Sequence, residues 1–138
     1  MLTTTSRYAL KALVFVAARD GASAAEISRG GGVSLKYLEL ILRNLTRAGL
    51  LTSQRGRNGG YRLARPASEI TMAEIVRSLD GPLALSACAS RTAFRRCDDC
   101  EDVETCRIRA VLLEGRDALA AVLDHRSLAD LIGSTPES

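Results

Sequence analysis

The stretch SAAEISRGGGVSLKYLELILRNLTRAGLLTSQRGRNGGYRL, residues 23–63, decides the fold. Ser23 with Glu26 forms the S-x-x-E pattern in which two residues satisfy each other's free backbone N–H groups at a helix start. It opens a short helix over 24–29, which Gly30-Gly31-Gly32 should break. Ser34 offers the next cap, and Leu35, Leu38, Leu42 and Leu45 follow as an apolar stripe. The opposite side of that helix, about 34–48, carries Ser34, Lys36, Tyr37, Arg43, Asn44 and Arg47, and Gly49 closes it. A short helix, a tight glycine turn and a second helix with a basic face make a helix-turn-helix. The glycine triplet is not a phosphate loop, which needs a Gly-Lys-Ser/Thr ending and a preceding buried strand.

Downstream, residues 50–55 and 61–63 read as two strands, and Gly56-Arg57-Asn58-Gly59-Gly60 as the turn between them, because Asn and Gly tolerate positive φ. Arg55, Arg57 and Arg62 surround the tip with no acidic residue before Glu69. A glycine-rich basic hairpin after a helix-turn-helix is the wing of a winged helix. Its arginines suit phosphates or a minor groove, and its glycines allow close backbone approach.

Working outward, Leu10, Leu13, Val14 and Ala17 predict a helix over 6–19, ended by Asp20-Gly21 with glycine as the left-handed terminator. Thr71 with Glu74 is a second capping box, and Met72, Ile75, Val76 and Leu79 form the buried stripe of a helix stopped by Gly81-Pro82. From about 104 to 124, Ile108, Val111, Leu112, Leu119, Val122 and Leu123 share one side of the longest helix, with Gly115 where a partner backbone could approach. So wide an apolar stripe suggests dimerisation; the alternative is that it folds back on its own domain. Ser127 caps a last short helix, 128–132, before a polar tail. The fold class is therefore mostly α: a winged helix-turn-helix over 1–81, a cysteine-rich loop over 82–106, and a dimerisation helix with tail over 107–138.

Charge separates along the same line. Residues 1–80 carry twelve Lys and Arg against six Asp and Glu, whereas residues 81–138 carry seven against ten. A polyanion partner is expected for the first part only. Aromatic residues are 4% of the chain and Trp is absent, so the core must be built from Leu, Val, Ile and Ala. The start MLTTTSRYAL lacks a signal-peptide pattern and no apolar run spans a bilayer, so a cytoplasmic protein without membrane association is expected. Paired catalytic carboxylates, a nucleophile with its base and a nucleotide loop are all missing, which argues against an enzyme.

All four cysteines, Cys88, Cys97, Cys100 and Cys106, lie in CASRTAFRRCDDCEDVETC (88–106), among charged residues that belong on a surface. Cysteines grouped this way in a cytoplasmic protein point to a metal or to redox chemistry. Four thiolates suit an iron–sulfur cluster or a tetrahedral zinc, and a Cys97/Cys100 pair is common to both. A disulfide switch activated by nearby arginines is a third option. The sole histidine, His125, reads as a helix-end residue rather than a ligand.

LTTTSRYALKAL, GVSLKYLELILRNLTRAGLL, RGRNGGYRLARP, ITMAEIVRSLDG, the late cysteines and SLADLI together resemble the winged-helix repressors that include IscR, NsrR and RirA, over nearly the whole chain. The resemblance implies a DNA-binding regulator, a homodimer on an approximately palindromic duplex operator, each recognition helix in a major groove and each wing at a minor groove. Ser34, Lys36, Tyr37 and Arg43 would face phosphates or base edges, and Glu39 matches an acidic position that tunes site choice. Arg55, Arg57, Asn58, Gly59 and Gly60 match the wing. Cys88, Cys100 and Cys106 match the three cysteines that hold a [2Fe-2S] or [4Fe-4S] cluster sensing iron, redox state or nitric oxide. The two fourth ligands known in the family fall on Arg109 and Arg7, neither of which can serve, and this leaves the additional Cys97. A zinc-stabilised adaptor docking a protein through its helices is the competing reading.

Overall fold

The computed structural model describes residues 2–57 and 59–133. Helix α1 (Thr4–Arg19) starts earlier than its apolar spacing implies, because Thr3 caps it by accepting a hydrogen bond from the Ser6 N–H. Thr3 is itself held by Asp80, through its N–H (3.2 Å) and its hydroxyl (2.9 Å). That partner is remote in sequence, so periodicity could not reveal it. At the other end Asp20, not Gly21, takes the left-handed capping position with φ 53°. A short polar side chain tolerates that conformation.

Helix α2 (Ala24–Gly31) opens with the expected cap, the Ser23 hydroxyl accepting from the Glu26 N–H at 3.2 Å. It then runs through two of the three glycines and stops only at Gly32, φ 66°. A Cβ on Gly30 would overlap the Phe15 ring, so this glycine lets α1 and α2 touch rather than ending α2. Helix α3 (Leu35–Arg47) departs from expectation twice. Ser34 occupies the capping position but makes no side-chain bond there. Leu35 is 45% exposed, and Ile41 joins Leu38, Leu42 and Leu45 in the core instead. Positions 38, 41, 42 and 45 are the true i, i+3, i+4, i+7 set; Leu35 precedes it at the helix edge.

Strands β1 (Leu51–Gln54) and β2 (Gly60–Leu63) pair antiparallel, with Leu51 opposite Leu63 and Gln54 opposite Gly60. β1 is shorter than the sequence reading, since Leu50 and Arg55 fall outside the ladder, whereas β2 is longer by one residue and begins at Gly60. Ala22 bridges β2 at Tyr61 through two backbone bonds of 3.0 and 2.8 Å, which ties the wing to the α1–α2 connection. Helix α4 (Met72–Asp80) carries its predicted cap, Thr71 accepting from the Glu74 N–H at 3.1 Å. Ala73 and Ile75 are its buried residues, while Met72, Val76 and Leu79 are half-buried.

Helix α5 (Arg107–Leu123) begins later than expected and is capped by Cys106, whose Sγ accepts from the Arg109 N–H at 3.4 Å. Helix α6 (Leu128–Gly133) follows, with Ser127 accepting from the Asp130 N–H at 3.2 Å. Leu128 is fully buried in the same core as Leu13, Val16, Leu38, Leu42, Leu45, Leu51, Ile70 and Ile75. The Leu128 N–H donates to the Ile70 carbonyl at 2.9 Å, fixing α6 beside the start of α4. A smaller cluster, Ala73, Leu83 and Ala120, packs α4 against α5. The chain is thus mostly helical with one two-stranded hairpin, the architecture of a winged helix followed by a long helix. Among the described residues no helix is long and apolar enough to cross a membrane.

Candidate functional site

Core packing decides which side of α3 is free. With Leu38, Ile41, Leu42 and Leu45 buried, Ser34, Lys36, Glu39, Leu40, Arg43, Asn44 and Arg47 are all exposed on its outer side. Among the described residues Lys36, Arg43, Arg47, Arg55, Arg57 and Arg62 have no carboxylate within ion-pairing distance. Unpaired cations of this kind are what a phosphate backbone recruits. Tyr37 differs from the expectation of a free contact residue. Its hydroxyl lies 2.6 Å from the Thr5 hydroxyl, and its ring meets Tyr8 edge-on at 6.0 Å. It joins α3 to α1, so it could meet a phosphate only together with Thr5.

In the wing Arg55 and Arg57 are exposed at the tip, whereas Asn58 lies outside the described residues. Gly59 and Gly60 have a structural task. A Cβ on Gly59 would fall 2.5 Å from the Gln54 carbonyl oxygen, and one on Gly60, φ 155°, would fall 2.7 Å from that of Ala22. Hairpin closure and the bridge to Ala22 therefore demand glycine, independently of any approach to a ligand.

The four cysteines line one cavity of 450 Å³ with Ser86, Asp99, Glu101, Asp102, Arg109 and Leu112. None is in a disulfide; Cys88 is buried and the other three are half-buried. Ser86 touches two of them, its hydroxyl oxygen 3.2 Å from Cys88 Sγ and 3.8 Å from Cys97 Sγ. The Ser86 hydroxyl holds the Cys88 thiol below the ordinary thiol range, assisted by Cys97 and the Arg109 charge. The Cys97 thiol is pushed up, chiefly by Cys88. One sulfur of the pair thus ionises at the other's expense.

Two arginines fasten this segment to α5. Arg91 grips Asp117 with both ends of its guanidinium, at 2.9 and 2.6 Å. From α5, the Arg109 Nε–H donates to the Cys88 carbonyl at 2.8 Å, and its guanidinium lies 5.6 Å from the Phe94 ring centroid. The later part, 98–106, is held by local bonds, such as Arg96 to the Cys100 carbonyl at 2.7 Å and Glu104 N–H to Asp102 at 2.9 Å. Among the described residues no three His, Cys, Asp or Glu side chains stand ready-placed around a metal ion. The fit to an iron–sulfur cluster is one of donors: four thiols on a single cavity are the ligand type such clusters take. Arg109 instead positions the Cys88 backbone. Ser86, Arg91 and Leu40 were not singled out by sequence reasoning; only the Ser-x-Cys spacing of Ser86 and Cys88 gave any signal.

The model of the Rrf2 family, described as iron-dependent transcriptional regulators, matches residues 2–134. A Rhodobacter capsulatus protein named as an rrf2-like HTH-type transcriptional regulator is 39% identical, over 97% of this chain and 93% of its own. Among solved structures, CymR, the global cysteine regulator of B. subtilis, superposes with a TM-score of 0.79 at 30% identity, over 99% of this chain and 98% of that one. IscR from T. potens superposes with a TM-score of 0.74 at 25% identity, over 100% and 93% of the two chains. The free basic helix, the wing and the family match over almost every residue converge, and the chain belongs to the Rrf2 family of winged-helix transcriptional regulators.

Proposed function

We propose that this regulator binds an approximately palindromic duplex operator as a homodimer, in the cytoplasm, and that an iron–sulfur cluster held by Cys88, Cys97, Cys100 and Cys106 controls that binding. One observation carries the reading: all four thiols line a single cavity whose wall is shared by the 82–106 segment and α5. Bound there, a cluster would supply a group sensitive to iron supply, oxidants and nitric oxide. Cys88, Cys100 and Cys106 are the core ligands and Cys97 the fourth.

The chain's own residues provide the output. Ile108, Val111, Leu119 and Val122 are 72%, 68%, 48% and 55% exposed along α5, an apolar face suited to a second copy. Arg109 and Arg91 connect the cysteine segment to that helix, and Arg77 on α4 connects the helix back to the winged domain through Asp124 at 2.6 and 3.3 Å. Reordering of the segment therefore shifts α5, and with it the spacing of two recognition helices. That is a two-state element that a ligand can bias. Ser34, Lys36, Glu39 and Arg43 face the groove, Tyr37 backs them with Thr5, and Arg55 and Arg57 lie along phosphates at the wing. The functional division is then 1–81 for DNA, 82–106 for the cluster and 107–138 for dimerisation.

The test is protein purified without oxygen, assayed for visible absorbance, metal content and salt-dependent duplex binding. Colour with iron, lost in Cys88→Ala, Cys100→Ala and Cys106→Ala together with altered operator affinity, is the expected result. Unchanged metal content and affinity in all three variants would refute cluster control. Colourless protein with stoichiometric zinc would replace iron by zinc, and absence of salt-sensitive duplex binding would favour the adaptor.

A second reading rests on Ser86, whose hydroxyl lies within hydrogen-bonding reach of both Cys88 and Cys97. Hydrogen peroxide would oxidise one thiolate to a sulfenic acid, its O–O bond breaking with loss of one water, and the other thiol would then displace the sulfenic hydroxyl as a second water to form one S–S bond. A Cys88–Cys97 peptide link after peroxide treatment of metal-free protein, seen by mass spectrometry, supports this reading; intact thiols exclude it.

A further inference from the structure

Leu40 sits at the centre of the outer side of α3. At about 100° per residue, Lys36, Arg43, Asn44 and Arg47 flank it within roughly one side chain on either hand, while Leu38, Ile41, Leu42 and Leu45 lie behind it. It is 48% exposed, an apolar residue in the middle of a face that, Glu39 at its edge apart, is otherwise cationic or amide-bearing. A lone exposed leucine needs no explanation on an ordinary surface. Its place here is not ordinary, because the cations around it have no carboxylate partner among the described residues and surround it with net positive charge. That charge excludes a purely apolar protein partner and selects a polyanion.

A major groove offers one apolar feature at its floor, the C5-methyl group of thymine; every other base edge presents donors and acceptors. We infer that Leu40 reads a thymine methyl in each operator half-site and so fixes sequence choice at that base pair, while its basic neighbours bind phosphates. This rests on the operator-binding reading proposed above and gives it a base-specific content. Leu35, also exposed, is nearer the buried side of the helix and is not assigned this role.

The probe is a duplex recovered from a random-sequence pool by the full chain purified without oxygen. Each thymidine of that duplex is then replaced in turn by deoxyuridine, which removes only the methyl group. For the unaltered protein, one symmetric pair of positions should weaken binding by about fourfold per methyl, the worth of one buried CH2 group. Leu40→Ala should bind the parent duplex more weakly and show no further loss at that pair. Its melting temperature should match that of the parent, since the side chain lies outside the core. An even response to every replacement, or one that persists in Leu40→Ala, overturns the assignment while leaving duplex binding intact. Failure to enrich any duplex with salt-sensitive affinity overturns operator binding itself, and the assignment with it.

Discussion

Replacing Arg109 by alanine should loosen the cysteine segment without unfolding the winged domain. The side chain contributes a charged hydrogen bond to the Cys88 carbonyl and a cation–π contact with Phe94. A charge-assisted bond is worth about 1.5–3 kcal/mol and a partly exposed cation–π contact about 0.5–1 kcal/mol. Because Arg109 is half-buried, the lower part of each range applies, giving about 2 kcal/mol. Hydrogen exchange reads this directly. The Ala89, Ser90 and Arg95 amides are bonded within the turn that Arg109 pins, to Ser86 and Ala87 carbonyls. Their exchange should accelerate roughly thirtyfold in Arg109→Ala, as local opening becomes easier by that amount. Amides of α3, whose helix packs in the main core, should keep their rates. Arg109→Lys retains the charge but not the planar fork, so it should recover only part of the protection. Equal exchange in the parent and Arg109→Ala would show that α5 does not hold the segment, and the proposed route from cysteines to dimer helix would lose its first link.

Three further outcomes follow from the packing. Leu128→Ala removes a fully buried side chain and should cost about 2–5 kcal/mol in urea unfolding of the whole domain; a loss below about 1 kcal/mol would mean that α6 is not part of the core. Gly60→Ala combines a strained φ with a Cβ too close to the Ala22 carbonyl, and should lower stability by about 1–3 kcal/mol, read as a fall in thermal midpoint. Hydrogen bonding to Arg77 holds the Asp124 carboxyl below its usual range. A carboxyl depressed on folding stabilises the protein above its unfolded value, and that contribution disappears as pH falls through the folded one. Asp124→Asn should therefore be less stable than the parent at neutral pH, and the two should converge in acid; a constant gap down to the lowest pH measured would contradict the ion pair.

The winged helix was legible because its signals are local. The Ser23 and Thr71 caps, the stripe of Leu38, Leu42 and Leu45, and the glycine-rich hairpin each depend on residues a few positions apart, and each is present. Errors arose where a distant contact overrode a local preference. Gly30 stays in the helix and makes room for Phe15 instead of ending α2, α1 starts early because Asp80 holds Thr3, and Tyr37 turns inward to Thr5. Spacing alone places Leu35 in the core, but at the helix edge it is exposed and Ile41 completes the buried set. The cysteine grouping was plain from composition, but its fastening to α5 was not. Arg91 with Asp117 and Arg109 with Cys88 are pairs 26 and 21 residues apart, and no periodic pattern spans them.

The burial of Leu128 makes the polypeptide a closed circuit. The chain leaves the core at Ile75 and re-enters it at Leu128, and every cysteine lies on the excursion between. Closing such a loop costs configurational entropy that grows with its free length. Anything that ties Cys88 to Cys106 shortens the slack part of the excursion, and so favours seating of Leu128 among residues far from any thiol. A ligand bridging the cysteine segment would thereby be thermodynamically linked to the winged core even where α5 does not move. Heat resistance of the winged core would then report the state of the thiols, a coupling carried by chain connectivity rather than by a path of touching side chains.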